Sequence, residues 1–212
     1  MSMTDTKALS QKGRRTTDGC RVLVRKPSCC VWEGRLSEEV VSSRRVFDGT
    51  VVSLRVDRVR LSGGRVTDRE IVEHAGAVGV VALDDGGHVL LVKQFRSSLG
   101  RMLLEIPAGT LGEGEDPRVC AFRELREETG YSAEEMEELY AFYSSPGFSN
   151  ERIWLYLATA LNAGPQMPEG DEIIEVVKVL LERALEMVAT GEICDGKSIL
   201  GLLAAQAKMC IS

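Results

Sequence analysis

Between Thr50 and Leu61 the chain alternates apolar and polar side chains, with Val52, Leu54 and Val56 set against Ser53, Arg55 and Asp57. A period of two over this length predicts a strand with one buried face. Ser62-Gly63-Gly64 supplies a turn, and Arg65 to Glu73 returns as the partner strand of an antiparallel hairpin. A second pair follows, because Val78 to Leu83 and His88 to Val92 flank the turn tetrad Asp84-Asp85-Gly86-Gly87. These strands are nearly continuous in apolar residues, so they are expected at the centre of a sheet.

After Leu103 to Pro107 comes a glycine-rich loop from Ala108 to Gly114, then a helix from Pro117 to Thr129 whose ends are both marked. Asp116 suits the N-cap, Pro117 the first helical position, and Gly130 the left-handed turn that closes the C-terminus. Leu139 to Tyr143 and Arg152 to Ala160 read as strands around the loop Ser144 to Glu151. A polar loop from Asn162 to Asp171 leads to a short strand, Ile173 to Val179, and two amphipathic helices close the chain, Leu181 to Thr190 and Gly196 to Lys208. Strands, one central helix, strands again and terminal helices imply a mixed α+β layered fold. Residues 1–37 show neither period, are rich in Ser, Thr, Lys and Arg, and read as a poorly ordered arm. Residues 38–75 then form the N-terminal hairpin region and 76–212 the main domain.

Charge narrows the partners. The net charge of −6 provides no basic field for a nucleic-acid backbone, so an anionic small molecule must be met by local cations. No apolar run approaches the ~20 residues that span a bilayer, and the first 37 residues hold no apolar core like that of a signal peptide. Cys20, Cys29, Cys30, Cys120, Cys194 and Cys210 have no zinc-site spacing and read as free thiols, and a cytoplasmic protein without a membrane partner is expected.

The helix from Pro117 to Thr129 carries the candidate chemistry. Ala121, Leu125 and Phe122 form its apolar flank, while Glu124, Glu127 and Glu128 share an arc of about 100°. Like charges at these spacings repel. Arg123, four residues before Glu127, offsets part of that repulsion, and a hard divalent cation suits what is left. A glutamate-rich face is in general merely solvated, so the decision rests on the wider spacing. Gly109, five residues, Glu115, seven residues, then Arg123-Glu124-Leu125-Arg126-Glu127-Glu128-Thr129-Gly130-Tyr131 resembles the Nudix box at every defined position.

The resemblance implies a loop-helix-loop within an α/β/α sandwich built on a mixed central sheet. It implies Glu124, Glu127, Glu128 and the Ala108 carbonyl as ligands of Mg²⁺, with Mn²⁺ as a substitute, and Arg123 and Glu115 as an electrostatic brace. Val92 to Arg96, Leu104 to Gly109 and Ser145 to Glu151 are similar to segments of the ADP-ribose pyrophosphatase branch. That branch implies a nucleotide-sugar substrate, cleavage of ADP-ribose to AMP and ribose 5-phosphate, and a homodimer in which the N-terminal hairpin crosses to the partner. It also implies a glutamate base after the box, for which Glu172 and Glu169 are the candidates; the box glutamates Glu127 and Glu128 are an alternative. Arg96 suits a phosphate clamp because a guanidinium pairs bidentately with phosphate oxygens. Ser145 and Glu151 are expected at the ribose or the metal shell, and Glu105 in the pocket wall. Hydrolysis of GDP-mannose or a nucleoside triphosphate is the competing enzyme reading, and a non-catalytic nucleotide-binding module the competing class.

Overall fold

A computed structural model describes residues 38–167 and 174–210; the expected N-terminal arm and the base candidates Glu169 and Glu172 lie outside the described residues. The first alternating segment forms β2 (Val52–Arg60), which pairs antiparallel along its whole length with β3 (Val66–His74), from Val52↔His74 to Arg60↔Val66. The predicted hairpin is therefore present, but a third strand precedes it. β1 (Glu39–Asp48) lies antiparallel on β2 and completes a three-stranded sheet. Its register slips between Val40 and Ser42 and again between Arg45 and Phe47. Each slip inserts a residue and reverses the side-chain alternation, which is why the segment shows no period of two.

The second, seven-stranded sheet contains β4 (Ala77–Leu83), β5 (His88–Arg96), β6 (Arg101–Glu105) and β7 (Ala108–Thr110), and after helix α1 (Pro117–Thr129) it is extended by β8 (Tyr131–Tyr143), β9 (Arg152–Ala163) and β10 (Ile174–Leu180). Its main order is β10-β5-β4-β9-β8, with β4 parallel to β9 and the other pairs antiparallel, so the sheet is mixed as expected. β8 starts at Tyr131, well before the predicted Leu139. Its first half carries four glutamates, poor strand formers, but continuous pairing with β9 overrides that preference.

The turn tetrad joins β4 and β5 as predicted, yet the two strands pair only at Ala82↔Leu90 and Leu83↔Val89. Beyond that they part. β6 takes over pairing with β5 from Val92↔Glu105 to Arg96↔Arg101, and β7 pairs with β4 from Ala77↔Thr110 to Gly79↔Ala108. The corner Ile106-Pro107 spans the split, with the Val80 amide donating to the Pro107 carbonyl at 2.8 Å. The segment read as a glycine-rich loop is thus partly a strand, because the free edge of β4 supplies its hydrogen bonds.

Helices cover both faces of the sheet. Val78, Val80, Ala82, Leu90 and Tyr156 pack with Ala121 and Leu125 of α1. Val81, Leu91, Leu155 and Ile106 pack against α2 (Leu181–Thr190) and α3 (Gly196–Met209) through Ala184, Leu202 and Ala205. The result is the α/β/α sandwich implied by the resemblance. Among the described residues no helix is long and apolar enough to cross a membrane. Leu202 is fully buried, so Leu202→Ala should lower the free energy of unfolding by about 2–5 kcal/mol, measured by urea denaturation.

Candidate active site

Helix α1 begins and ends where its sequence markers stand. The Asp116 side chain accepts from the Arg118 and Val119 amides, and Gly130 adopts φ 75° at the C-terminus, where an added Cβ would lie 2.6 Å from the Gly164 carbonyl oxygen. With its apolar flank held on the sheet, the helix turns its glutamates toward the loop after β7. Arg123 Nε and Nη2 each donate at 3.0 Å to the two oxygens of Glu115, while Nη1 donates to Glu124 Oε1 at 2.7 Å and Glu127 Oε2 at 2.9 Å. One guanidinium therefore binds three carboxylates. The Arg123 fork, with the Gly112 amide, holds the Glu115 carboxyl down to about 2, and Glu115 in turn raises the pKa of Arg123 above its ordinary value.

Glu128 plays a separate part. It is 4% exposed, and its Oε2 accepts the Ala108 amide at 2.8 Å, which fastens the helix to β7. At Gly109 an added Cβ would come within 1.9 Å of the Glu124 carboxylate. Only a residue without a side chain lets this backbone approach the acid cluster so closely.

A cleft of about 620 Å³ is lined by Arg96, Ala108, Arg123, Glu124, Glu127 and Glu128. Six predicted site residues thus share one wall-to-wall space. A neighbouring lobe of about 450 Å³ shares Arg96, Ala108 and Gly109 with the first and adds Glu151, Ser144 and Lys197. Ser145 is not among the residues lining either lobe. Its carbonyl instead accepts the amides of Phe148 and Ser149, building the turn that presents Ser144 and Glu151.

Glu105 also departs from its expected place in the wall. It is 1% exposed and stands behind Arg96, taking Arg96 Nε at 2.8 Å and Nη2 at 2.6 Å. Lys197 binds the same carboxylate, and its Nζ also reaches Asp195 Oδ2 at 2.9 Å. Asp195 caps α3 through the Ser198 amide and hydroxyl, and Ser198 Oγ accepts the Ile106 amide at 2.9 Å. Sequence reasoning missed Lys197 and Asp195. Their only local signal is that Asp195 stands just before an amphipathic helix, which says nothing of a contact across the fold.

Among the described residues no three acidic, histidine or cysteine side chains form a ready-made metal cage. The donors present are nevertheless all oxygen, and Mg²⁺ needs only one or two protein carboxylates when waters and substrate phosphate complete its shell. Glu124, Glu127 and Glu128 beside the Ala108 backbone fit that requirement, with Gly109 leaving the approach open.

A three-layer sandwich whose first helix brings three carboxylates to a cleft shared with Arg96 and the Ala108 backbone defines the class of protein. The NUDIX domain model matches residues 73–198, and the chain belongs to the Nudix hydrolase family. It is 43% identical over 82% of its length to an ADP-ribose pyrophosphatase of Bacillus subtilis (strain 168), covering 95% of that protein. It is 42% identical over 80% of its length to a methanol dehydrogenase activator of Bacillus methanolicus, covering 93% of it. A GDP-mannose pyrophosphatase of Salmonella paratyphi B (strain ATCC BAA-1250 / SPB7) is 35% identical over 71% of this chain and 84% of its own length. The crystal structure of an ADP compounds hydrolase shares the fold, with a TM-score of 0.73 and 17% identity over 82% of this chain and 94% of that one.

Burial pushes the Glu105 carboxyl up, but the hydrogen bonds from Arg96 and the charge of Lys197 outweigh it and bring the group down from 4.5 to about 2. A carboxyl with a depressed folded pKa contributes stability that is complete above its unfolded value and is lost as pH falls toward the folded one. The thermal midpoint of the wild type should therefore drop more steeply from pH 4.5 to pH 2 than that of Glu105→Gln, measured by circular dichroism across that window.

Proposed function

We propose that this chain hydrolyses the pyrophosphate of ADP-ribose to AMP and ribose 5-phosphate, in the cytoplasm, with Mg²⁺ as its cofactor and Mn²⁺ as a substitute. The observation that carries the reading is that Arg96 lines both lobes and shares the first with Glu124, Glu127 and Glu128. A diphosphate beside Arg96 would sit between its guanidinium and the acid helix, leaving one lobe on each side for the two halves of a dinucleotide-like molecule. Identity of 43% and 40% to two ADP-ribose pyrophosphatases supports this substrate over the GDP-mannose reading, whose relative is 35% identical.

Glu124, Glu127, Glu128 and the Ala108 carbonyl would hold the cation, which when bound neutralises the diphosphate and lowers the pKa of an attacking water. The remaining work belongs to the chain. Arg96 turns the N–H groups that Glu105 leaves open, those of Nη1, to a phosphate oxygen. Arg123, itself fixed by Glu115, keeps Glu124 and Glu127 aimed into the cleft. Glu151 and Ser144 offer an acceptor and a hydroxyl to a sugar in the second lobe. The water's proton passes to a glutamate base, Glu172 or Glu169, or to a box glutamate in their place.

Purified protein with Mg²⁺ should turn over ADP-ribose and lose that activity in excess chelator. Glu127→Gln should cut kcat by about 10² or more. A tenfold or greater preference for GDP-mannose or a nucleoside triphosphate would sink the substrate assignment, and wild type inert on every diphosphate would favour a binding module.

The chain also acts as a homodimer in this reading, with the N-terminal strands exchanged against a second copy. Val40, Val46, Phe47 and Val66 are large apolar residues exposed on the three-stranded sheet, and such surface is buried when copies associate. Sedimentation equilibrium should give a dimer mass for the wild type and a shift toward monomer for Phe47→Glu; a monomeric wild type would exclude this arrangement.

A further inference from the structure

The geometry points to Lys197 as a positioning residue that acts through Glu105 to aim Arg96 at the diphosphate. This inference rests on the function proposed above and adds a residue that no motif carries. Glu105 Oε2 accepts from both Arg96 Nη2 and Lys197 Nζ, whereas Oε1 accepts from Arg96 Nε. The bidentate fork consumes Nε and Nη2 of Arg96, so the orientation of the carboxylate sets where Nη1 points. That orientation is fixed from α3. Lys197 joins Glu105 to Asp195, Asp195 is held by the first turn of the helix, and Ser198 ties the same turn to Ile106, the residue after Glu105.

Charge makes the second cation necessary. A buried carboxylate paired with Arg96 alone would cancel the arginine's charge, leaving a neutral pair with little pull on a phosphate. With Lys197 sharing Oε2, the Glu105 charge is divided between two cations. The Asp195 charge is offset in turn by the Ser198 donors and the positive end of α3. Glu105 therefore neutralises Arg96 less completely than it would in an isolated pair, while the position of the arginine is locked. Lys197 is 11% exposed at its side chain and Arg96 35%, so the lysine is the buried support and the arginine the contact group.

A double-mutant cycle tests this through kcat and KM. Lys197→Met and Glu105→Gln should each raise KM for ADP-ribose by about tenfold with kcat reduced much less. The double variant should be no worse than Glu105→Gln alone, within about twofold, because Lys197 has nothing left to act through. The double removes one charge of each sign, leaving Arg96 open to the cleft and Asp195 held by the Ser198 donors. If Lys197→Met does not fold, the comparison of the double with Glu105→Gln therefore decides the matter by itself. Multiplicative losses, or a folded Lys197→Met with KM unchanged, would overturn the proposal. Wild-type turnover in the same assay tests the function separately, since the ratios between variants can be read on whichever diphosphate the wild type cleaves.

Discussion

Three carboxylates, those of Glu115, Glu124 and Glu127, crowd around the Arg123 guanidinium, a fourth, Glu128, lines the same cleft, and the surplus of negative charge governs what the cleft can hold. Repulsion between carboxylates at i,i+3 and i,i+4 would fray an isolated helix. Here the helix persists because Leu125 and Ala121 are fully buried against the sheet and both ends are capped. Packing thus pays for an electrostatic arrangement that is left with surplus negative charge, which a cation together with a phosphate would offset in the function proposed above. Arg123 alone neutralises too little, but by binding three carboxylates at once it removes their freedom to turn outward.

The opposite wall has a topological origin. Because β4 and β5 part after two residue pairs, the Ile106-Pro107 corner enters the sheet between them and carries Glu105 on one side and Ala108 on the other. Glu105 meets Arg96 and Lys197, while the Ala108 amide meets Glu128. Four consecutive residues, Glu105 to Ala108, therefore link the helix on one face of the sheet to the helix on the other. A full β4–β5 ladder would close that gap and separate the acidic from the basic wall.

Much of this was readable from residue order alone, for identifiable reasons. The helix was legible because Asp116, Pro117 and Gly130 act locally, and the box spacing depends on no other part of the chain. The central strands were legible because both their faces are covered. β1 was not, since two bulges erase its alternation and both faces are open. The first half of β8 was hidden by glutamates that strand pairing tolerates at a sheet edge. Ser145 was expected in the site, yet the turn directs its neighbour Ser144 there, a difference set by backbone geometry that a motif does not encode. Lys197 was invisible because its role exists only when α3 packs beside a strand more than ninety residues earlier.

The three-stranded sheet is tied to the second lobe by more than proximity. The Val72 amide donates to the Phe148 carbonyl at 2.8 Å, the Asn150 amide to the Val72 carbonyl at 3.2 Å, and the His74 amide to Asn150 Oδ1 at 2.9 Å. His74 Nδ1 accepts the Gly76 amide at 3.0 Å, which places the ring proton on Nε2. Glu151 Oε1 approaches that same Nδ1 at 3.7 Å. The Ser144 hydroxyl donates to the other oxygen of Glu151, and both residues line the second lobe. The surface of the N-terminal sheet and the loop carrying Glu151 are thus joined by main-chain hydrogen bonds, not by side-chain packing alone.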